Sequence, residues 1–318
     1  MRSRRYDGSA SIQIYTKMKR FVLLVSFFFT LAVGSQAQLL YRISGNGLQR
    51  PSYIIGTHHL IDAAFTAQIN GLQEALDQTE QVYGEVVMAD MMNPDSVKAM
   101  QEISMLPEGK TLRDVMTADQ FTRLDHCFYD VLGVKLSSEQ LYNALGHMTP
   151  SGLSSYLTVM LYMKSHPDVN IQNAIDGWFQ VEAQRQGKPV GGLESVAYQA
   201  RLLMQEGSIE DQVTALMCLV DNIDFNVMML NDITEAYHNQ DLDAVAAAMD
   251  EQSEVECGAS DQENESLIYG RNENWVKQMP AIMRAHPTFF AVGSAHLTGE
   301  RGVLQLLRQA GYKVEGVK

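Results

Sequence analysis

Two segments near opposite ends of the chain share one pattern, and this repetition limits what the chain can fold into. Residues 53–60 read YIIGTHHL and residues 290–297 read FAVGSAHL. Each has an aromatic residue, two apolar residues, and then a G-x-x-H motif followed by leucine. Short apolar runs bounded by glycine are typical of buried strands. We therefore expect two buried strands, each carrying a histidine at its C-terminal end.

Strand patterns lie at both ends of the chain, with helical patterns between them. Runs rich in β-branched and aromatic residues predict strands at 39–45, 52–60, 82–88, 188–195, 288–297 and 312–317. Helical periodicity predicts helices at 69–79, 117–132, 138–146, 149–165, 172–186, 196–206, 208–239, 241–252, 271–285 and 299–311. The economical fold is an α/β domain of the α+β type, with a central mixed sheet from both chain ends and a large helical insertion.

Polar residues mark several boundaries of these elements. Thr117 and Ser195 each precede a helical pattern and are predicted to be N-caps. The stretch 256–266, ECGASDQENES, is polar and acidic, which is typical of a mobile loop.

The N-terminal segment has the pattern of an export signal. Lys19 and Arg20 precede the uncharged run FVLLVSFFFTLAV, and Ser35 and Ala37 fit the −3 and −1 positions of a cleavage site. We therefore expect a signal peptide over 1–37. An uncleaved membrane anchor is the alternative, although the run is shorter than the about 20 apolar residues of a spanning helix.

Cleavage after this signal would leave one domain, 38–318, that begins at Gln38 and contains no membrane span. Such a protein is exported, to the periplasm or out of the cell. Met18 is a more typical start for a signal than Met1, so residues 1–17 are a candidate upstream extension.

Charge and cysteine content exclude some functions. The formal net charge is −14, and such a surface repels phosphate backbones, so we expect no nucleic-acid partner. The three cysteines have no zinc-motif spacing, and an odd number leaves at least one unpaired. Cys127 and Cys218 lie in apolar helical contexts and are expected to be buried thiols. No disulfide is predicted, and Cys257 has no assigned role.

His59 and His296 are the strongest candidate ligands. Each ends a predicted strand, which is where ligands bind in open α/β sheets, and neutral imidazole is a common metal ligand. If the two strands are close in the sheet, both rings reach one point. His58 is not chosen, because neighbouring strand residues face opposite sides and the second segment has Ala295 at that position. The alternative is that each histidine is a structural residue.

Three further polar residues fit the same site. Glu85 lies in the apolar run VYGEVVM, where a carboxylate is costly unless it is paired or coordinates a metal. Glu194 follows Gly191 and Gly192 at a strand end. Arg271 opens a predicted helix, where a cation is unfavourable, so a carboxylate or substrate partner is expected. The alternatives are an exposed edge position for Glu85, a helix N-terminal charge for Glu194 and a surface position for Arg271.

Several familiar catalytic motifs are absent from the sequence. It contains no H-E-x-x-H, no G-x-S-x-G and no G-x-x-x-x-G-K-[ST], so zincin, α/β-hydrolase and P-loop functions lose support. The remaining histidines share no ligand spacing and are predicted to be structural: His126, His147, His166, His238 and His286.

The motifs around these residues resemble the TraB/PrgY/GumN family. They are GTHH, YGEVVM, GLES, RNENW and the closing VGSAHLTGERGVLQLLRQAGYKV. The resemblance covers about residues 39–318, and the closing segment is its most specific part. The family includes the Tiki proteases, whose fold is related to the erythromycin-esterase and ChaN haem-binding folds. The resemblance thus implies a Tiki/ChaN-like fold.

The resemblance also implies metal-dependent peptide cleavage by the two G-x-x-H histidines and a glutamate. Carried over to this chain, His59, Glu85 and His296 are the implied metal ligands, and Glu194 and Arg271 the catalytic residues. Many relatives have a second acidic residue two positions after the strand glutamate. Here that residue is Val87, so a role that needs a carboxylate pair on this strand is not expected.

The resulting hypothesis is a metal-dependent hydrolase that acts on a peptide or protein. A divalent ion with an open coordination position could polarise a carbonyl and activate water. Mn²⁺, Co²⁺ and Zn²⁺ all suit mixed nitrogen and oxygen ligands. The alternative is an exported protein that binds haem or a metal without turnover.

Overall fold

The computed structural model describes residues 38–253 and 260–318. The predicted signal peptide, its alternative as a membrane anchor, and Cys257 lie outside the described residues.

One mixed sheet organises the fold, with strand order β4-β3-β5-β2-β1-β6. The strands are β1 (Leu40–Gly45), β2 (Ser52–Thr57), β3 (Gln81–Gly84), β4 (Val190–Gly192), β5 (Thr288–Gly293) and β6 (Tyr312–Gly316). β4, β3, β5 and β2 are parallel neighbours, whereas β1 is antiparallel to both β2 and β6. The sheet draws on both ends of the chain, which confirms the predicted mixed α/β architecture.

The two strands that carry the repeated pattern lie side by side. Every residue of β2 and β5 is buried, as expected for continuous apolar runs in the interior of a covered sheet. Their parallel register pairs Gly56 with Val292 and Thr57 with Gly293. The two G-x-x-H motifs therefore end next to each other.

Helices occupy most of the chain between these strands. In the described residues they are α1 (Leu72–Asp77), α2 (Pro94–Ile103), α3 (Leu112–Val115), α4 (Ala118–Leu132), α5 (Glu139–Leu145), α6 (Pro150–Ser165), α7 (Ile175–Arg185), α8 (Val196–Gln205), α9 (Ile209–Asp221), α10 (Ile223–His238), α11 (Leu242–Ser253), α12 (Asp261–Asn264), α13 (Gly270–Ala285) and α14 (Val303–Gln309). Short 3₁₀ turns span Ala63–Gln68, Met88–Met92, Ile171–Asn173 and Ser294–His296, and a π-helical turn spans Glu265–Tyr269.

Side-chain caps fix helix starts where the sequence predicts them. Thr117 accepts a hydrogen bond from the Gln120 backbone and, with the Gln120 side chain, forms a capping box at the start of α4. Ser195 accepts from the Tyr198 backbone and caps α8. The cap on α8 fixes the point where the chain leaves β4.

The described residues contain two hydrophobic clusters. The larger surrounds the sheet and includes Ile54, Phe179, Trp275 and Phe290. The second lies wholly within the helical insertion and includes Phe128 of α4, with side chains of α3, α6 and α9. The insertion therefore has its own core.

The predicted helix at 208–239 is two helices. α9 ends at Asp221, and α10 begins at Ile223 after a bend of 84°. Among the described residues no single helix has both the length and the apolar composition of a membrane span, and only this bent pair meets those criteria when taken together.

The predicted acidic loop at 256–266 is partly helical. Ser260 caps α12 with a capping box to Glu263, and the chain continues through the π-helical turn into α13. Serine followed three residues later by glutamate is a helix-start pattern, and the high polarity of this stretch obscured it. Arg271 consequently lies within continuous helical backbone and not at a free helix N-terminus.

The predicted absence of disulfides is wrong. Cys218, on α9, is disulfide-bonded, whereas Cys127 is a buried free thiol, as predicted. Burial raises the pKa of Cys127 to about 11, so this thiol is protonated and unreactive at neutral pH. Sequence spacing does not reveal which cysteines are close in space, which is why this bond was missed.

β3 ends at Gly84, earlier than predicted. Beyond it, the Gln180 side chain of α7 donates to the Val86 carbonyl (2.8 Å) and accepts from the Met88 backbone (2.9 Å). These contacts satisfy two backbone groups of the segment that follows the strand. Glu85 thus follows the strand and does not lie inside it. A Cβ on Gly84 would collide with the Gln180 amide, so glycine is required here.

We expect Gly84→Ala to lower the free energy of unfolding by about 1–3 kcal/mol, because it displaces the buried amide that satisfies two backbone groups. Gly177→Ala, on the same helix as Gln180, is the control. Its added methyl group meets nothing within 4 Å, and alanine favours the helix by about 0.5–1 kcal/mol. Urea unfolding midpoints measure both. Equal destabilisation by the two changes would contradict the proposed role of Gln180.

The cysteine assignment predicts a difference in alkylation. In denatured, unreduced protein, the peptide with Cys127 should be alkylated, and the peptide with Cys218 only after reduction. Peptide mapping by mass spectrometry measures both. Alkylation of Cys218 without reductant would contradict the assignment.

Candidate functional site

The ends of four neighbouring parallel strands bring the predicted residues together. In sheet order, β4 is followed by Glu194, β3 by Glu85, β5 by His296 and β2 by His59. Parallel strands end at one edge of a sheet, so one predicted residue from each strand reaches the same edge. Arg271, on α13, is hydrogen-bonded to three of them, as described below.

The glycine of each repeated motif makes room for the other motif. A Cβ on Gly56 would lie 3.1 Å from Ser294 and from Leu297, both in the second motif. A Cβ on Gly293 would lie 3.6 Å from Nε2 of His59, in the first motif. The contacts at Gly56 are tight for any larger residue. At Gly293 the tight contact is 3.2 Å to Oε1 of Glu85, whereas the distance to His59 is an ordinary van der Waals contact.

His296 is buried, and both of its ring nitrogens have partners. Nδ1 lies 2.7 Å from Oδ1 of Asn272, and Nε2 lies 3.0 Å from Nη1 of Arg271. The ring also packs against Trp275, at 4.4 Å between ring centroids. Burial lowers the pKa of His296 to about 3, so the ring is neutral at physiological pH.

Glu85 is a buried carboxylate with donors on both oxygens. Oε1 accepts from the Gly293 backbone (2.7 Å), and Oε2 accepts from Arg271 (2.6 Å) and Gln199 (2.8 Å). Burial opposes ionisation, but the electrostatic effects of His296, His59 and Arg271 and the Gly293 backbone donor outweigh it, so the pKa of Glu85 is lowered. Glu85 is thus paired and does not lie on an exposed edge, and its role as a metal ligand stays a prediction.

Glu194 accepts hydrogen bonds from three side chains, which the sequence did not predict. Arg271 donates to both of its oxygens, with a shortest distance of 2.6 Å from Nη2 to Oε1. The indole of Trp275 donates to Oε2 (3.1 Å) and Gln199 donates to Oε1 (3.2 Å). Its backbone nitrogen donates to the carbonyl of Glu85, which continues the pairing of β3 and β4 beyond the strands.

Arg271 is the central cation of this network and is only 5% exposed. Besides Glu85, Glu194 and His296, it donates to the Leu267 carbonyl of the π-helical turn (3.0 Å) and lies over the Trp275 ring. The prediction that Arg271 has a carboxylate partner is confirmed, with two carboxylates in place of one. π-Helical turns are frequent at functional sites.

His59 is the exposed member of the group, with 65% of its side chain accessible. Its Nδ1 lies 3.1 Å from Oδ2 of Asp176, in the first turn of α7. The carboxylate raises the pKa of His59 above its usual value. Its Nε2 faces the space beside Gly293, where Glu85 Oε1 and His296 Cδ2 also approach, at 3.2 and 3.5 Å from the position of an added Cβ.

His58 faces away from this space. It is half-buried between Tyr162 and Tyr237, and its Nδ1 accepts a hydrogen bond from the Leu60 backbone. Burial lowers the pKa of His58 to about 4. The two adjacent histidines thus have different surroundings, in line with the choice of His59 for the site.

Four side chains in contact with the site were missed by sequence reasoning. Asp176 and Gln199 occupy ordinary polar helix positions that carry no signal of their own. Asn272 and Trp275 lie in RNENW, the motif that contains Arg271, so the motif could have identified them. The nearest carboxylate to His59 is therefore Asp176, from a helix and not from a strand end.

In this structure the site residues bond to one another and form an ion-pair network. Within 38–253 and 260–318, no three His, Cys, Asp or Glu side chains are grouped closely enough to hold a metal ion without rearrangement. His296 Nε2 and Glu85 Oε1 are 3.9 Å apart, with Arg271 bonded to both residues. The donor atoms that approach one space are thus imidazole nitrogen and carboxylate oxygen, with a guanidinium beside them.

Comparison with known proteins connects this geometry to a family. A model of the TraB/PrgY/gumN family matches residues 39–316. Metalloprotease TIKI1 of Homo sapiens is 26% identical, covering 83% of this chain and 59% of its own length. Metalloprotease TIKI2 of Danio rerio is 24% identical (83% and 58%), and the metalloprotease TIKI homolog of Nematostella vectensis is 21% identical (84% and 65%).

The chain therefore spans about 60% of the length of the curated relatives it matches. No solved structure matches it. The family match extends over both G-x-x-H motifs and all six strands of the sheet, apart from the final residues. The relatives named above carry the name metalloprotease, and on the evidence of the family model the chain belongs to the TraB/PrgY/gumN family.

Proposed function

We propose that this protein is a metal-dependent peptidase whose metal is held by His59, Glu85 and His296. The observation that carries the proposal is the approach of these three side chains, from neighbouring strand ends, to the space beside Gly293. Three protein ligands and an open position are typical of catalytic metal sites. The similarity to proteins named metalloproteases supports the same chemistry.

The donor atoms fit a divalent metal. Neutral imidazole and ionised carboxylate suit Mn²⁺, Co²⁺ and Zn²⁺ alike. The lowered pKa values of His296 and Glu85 favour these ligand forms, whereas His59, whose pKa is raised, would lose a proton on binding a metal. The Nε2 lone pair of His296 now accepts from Arg271. A metal on this nitrogen requires the guanidinium to give up that one hydrogen bond, while its bonds to Glu194 can remain.

The two catalytic residues in this proposal are Arg271 and Glu194. A bound metal would polarise the substrate carbonyl and lower the pKa of a coordinated water. Arg271 lies beside the proposed ligands and would stabilise the negative charge that develops on the carbonyl oxygen. Glu194 orients the guanidinium and is assigned the proton-accepting role. Catalytic hydrogen bonds often rearrange when substrate binds, so its present contacts are compatible with that role.

A peptide or protein is the proposed substrate class, after the names of the relatives. Export to the periplasm or out of the cell is part of the proposal and rests on the signal pattern of residues 1–37. Because the chain spans only part of its relatives' length, no narrower activity is carried over from them.

We expect His59→Ala and His296→Ala each to lose the bound metal, since each removes one of three ligands. His286→Ala is the matched control, because His286 contacts only the exposed Glu80 in the polar interactions described. Metal content after dialysis, measured by mass spectrometry, reads out all three variants. His58→Ala should also retain metal, although it removes a packed ring.

Equal metal loss in His58→Ala and His59→Ala would contradict the choice of His59. Full metal content in both His59→Ala and His296→Ala would reject the proposed site. Circular dichroism separates metal loss from unfolding in each variant.

The two glutamates should differ in role. Glu85→Gln should reduce metal content, because it removes a charged ligand. Glu194→Gln should retain metal and lower the turnover rate by about 10²–10⁴-fold, the usual effect of losing a general base. Metal stoichiometry and the rate on a peptide selected by library digestion measure both.

A reversed result, with the metal lost only in Glu194→Gln, would exchange the two roles. Unchanged metal and rate in both variants would make the carboxylates structural. If the purified protein shows a Soret band with haem and no metal-dependent peptide cleavage, the binding-protein alternative replaces the peptidase.

A further inference from the structure

In each of the two site histidines, Nδ1 is contacted by a side chain from a helix, and the two helices are different. Nδ1 of His296 lies 2.7 Å from Oδ1 of Asn272, on α13. Nδ1 of His59 lies 3.1 Å from Oδ2 of Asp176, on α7. Asn272 and Asp176 lie outside the G-x-x-H motifs, yet each places a side-chain oxygen beside Nδ1 of one motif histidine.

Hydrogen-bond donors and acceptors determine which nitrogen of His296 carries the proton. The Asn272 amide nitrogen donates to the Arg301 carbonyl (2.9 Å), so its oxygen is the atom that faces the ring. That oxygen only accepts, so Nδ1 donates to it. Arg271 has no acceptor atom, so Nε2 accepts from it with its lone pair. His296 is thus neutral and protonated on Nδ1, and its Nε2 lone pair faces Arg271.

Asp176 is itself fixed at the end of β2. Its Oδ1 accepts from the hydroxyl of Thr57, the last residue of the strand, which is buried. Its Oδ2 is buried and, although close to His59, has no hydrogen bond of regular geometry. A carboxylate only accepts, so it selects the His59 state with a proton on Nδ1. The ring then directs Nε2 toward Gly293.

We propose that Asn272 and Asp176 are positioning residues that hold His296 and His59 through Nδ1 and direct both Nε2 atoms toward one ligand. The inference rests on the proposed function for the identity of that ligand, a divalent metal. Histidine ligands commonly donate the second ring nitrogen to such a partner, and loss of the partner typically lowers metal affinity about 10–100-fold.

Because His59 is exposed, its orientation depends more on Asp176 than the orientation of His296 depends on Asn272. With most of its side chain in solvent, little packing restricts rotation of the ring. The ion pair to Asp176 supplies that restriction, whereas His296 is also held by Trp275 and by burial. Loss of Asp176 should therefore leave an imidazole that must be ordered at the moment of metal binding.

The first test uses the metal-free protein and two-bond ¹H–¹⁵N spectra of its histidine side chains. His296 should be neutral, with its proton on Nδ1. A proton on Nε2 would overturn the inference, because that nitrogen could then bind no metal without losing its proton. This measurement does not depend on the proposed function.

The second test is titration of the full chain with Co²⁺, read by the visible absorption of the bound ion. Asn272→Leu removes the acceptor and should weaken binding about 10–100-fold. Asn272→Asp retains an acceptor oxygen and should restore affinity to within a few-fold of wild type. Equal affinity for wild type and Asn272→Leu, or equal loss in Asn272→Leu and Asn272→Asp, would overturn the role of Asn272.

The same titration tests Asp176 against a matched carboxylate. Asp176→Asn should weaken Co²⁺ binding about 10-fold or more. Asp125→Asn makes the same replacement at a buried aspartate of α4 that is bonded to Ser137, outside the site, and should leave affinity unchanged. Equal effects would overturn the role of Asp176. If wild type takes up no Co²⁺, the proposed function fails, and the spectrum of His296 alone decides the inference.

Discussion

The site depends on one buried cation shared between two buried carboxylates. Arg271 reaches Glu85 and Glu194, which follow adjacent strands, and His296, which follows the next strand. An unpaired charge in such surroundings is strongly unfavourable, and removal of one partner from a buried pair typically costs about 3–5 kcal/mol. The guanidinium therefore joins three strand ends to α13, and each carboxylate stays buried only because the arginine is present.

This dependence also explains why the ion-pair network and the proposed metal site coexist in one place. Glu85 and Glu194 together carry two negative charges, which require positive charge nearby. Arg271 supplies one, and a divalent ion beside Glu85 would supply more without removing the arginine from Glu194. In the proposed function, the same electrostatic demand that closes the network around the guanidinium would favour a metal in the space beside Gly293.

The approximate positions of the strands could be predicted from the sequence, because each buried strand is a continuous apolar run, but the predicted ends of β2, β3, β4 and β5 are three or four residues too late. That reasoning placed His59, His296, Glu194 and Glu85 near strand ends, and for Glu85 the predicted strand end is four residues too late. The missing information was Gln180, which lies on a distant helix. The contact of Asp176 with His59 and the disulfide at Cys218 could not be predicted for the same reason. Spacing along the chain does not show which helices lie close together.

The central position of β5 has a consequence for when the site comes into existence. Glu85 and the Gly293 backbone that donates to it are separated by 208 residues, and β5 lies between β3 and β2. During synthesis, β2 and β3 are made long before β5, the strand that lies between them in the sheet. Until β5 is made, β2 and β3 cannot join one sheet. Pairings over such long sequence separations form late and slowly. The nascent chain therefore carries separated fragments of the site, and whatever the assembled residues do begins only after β5 has been made and inserted.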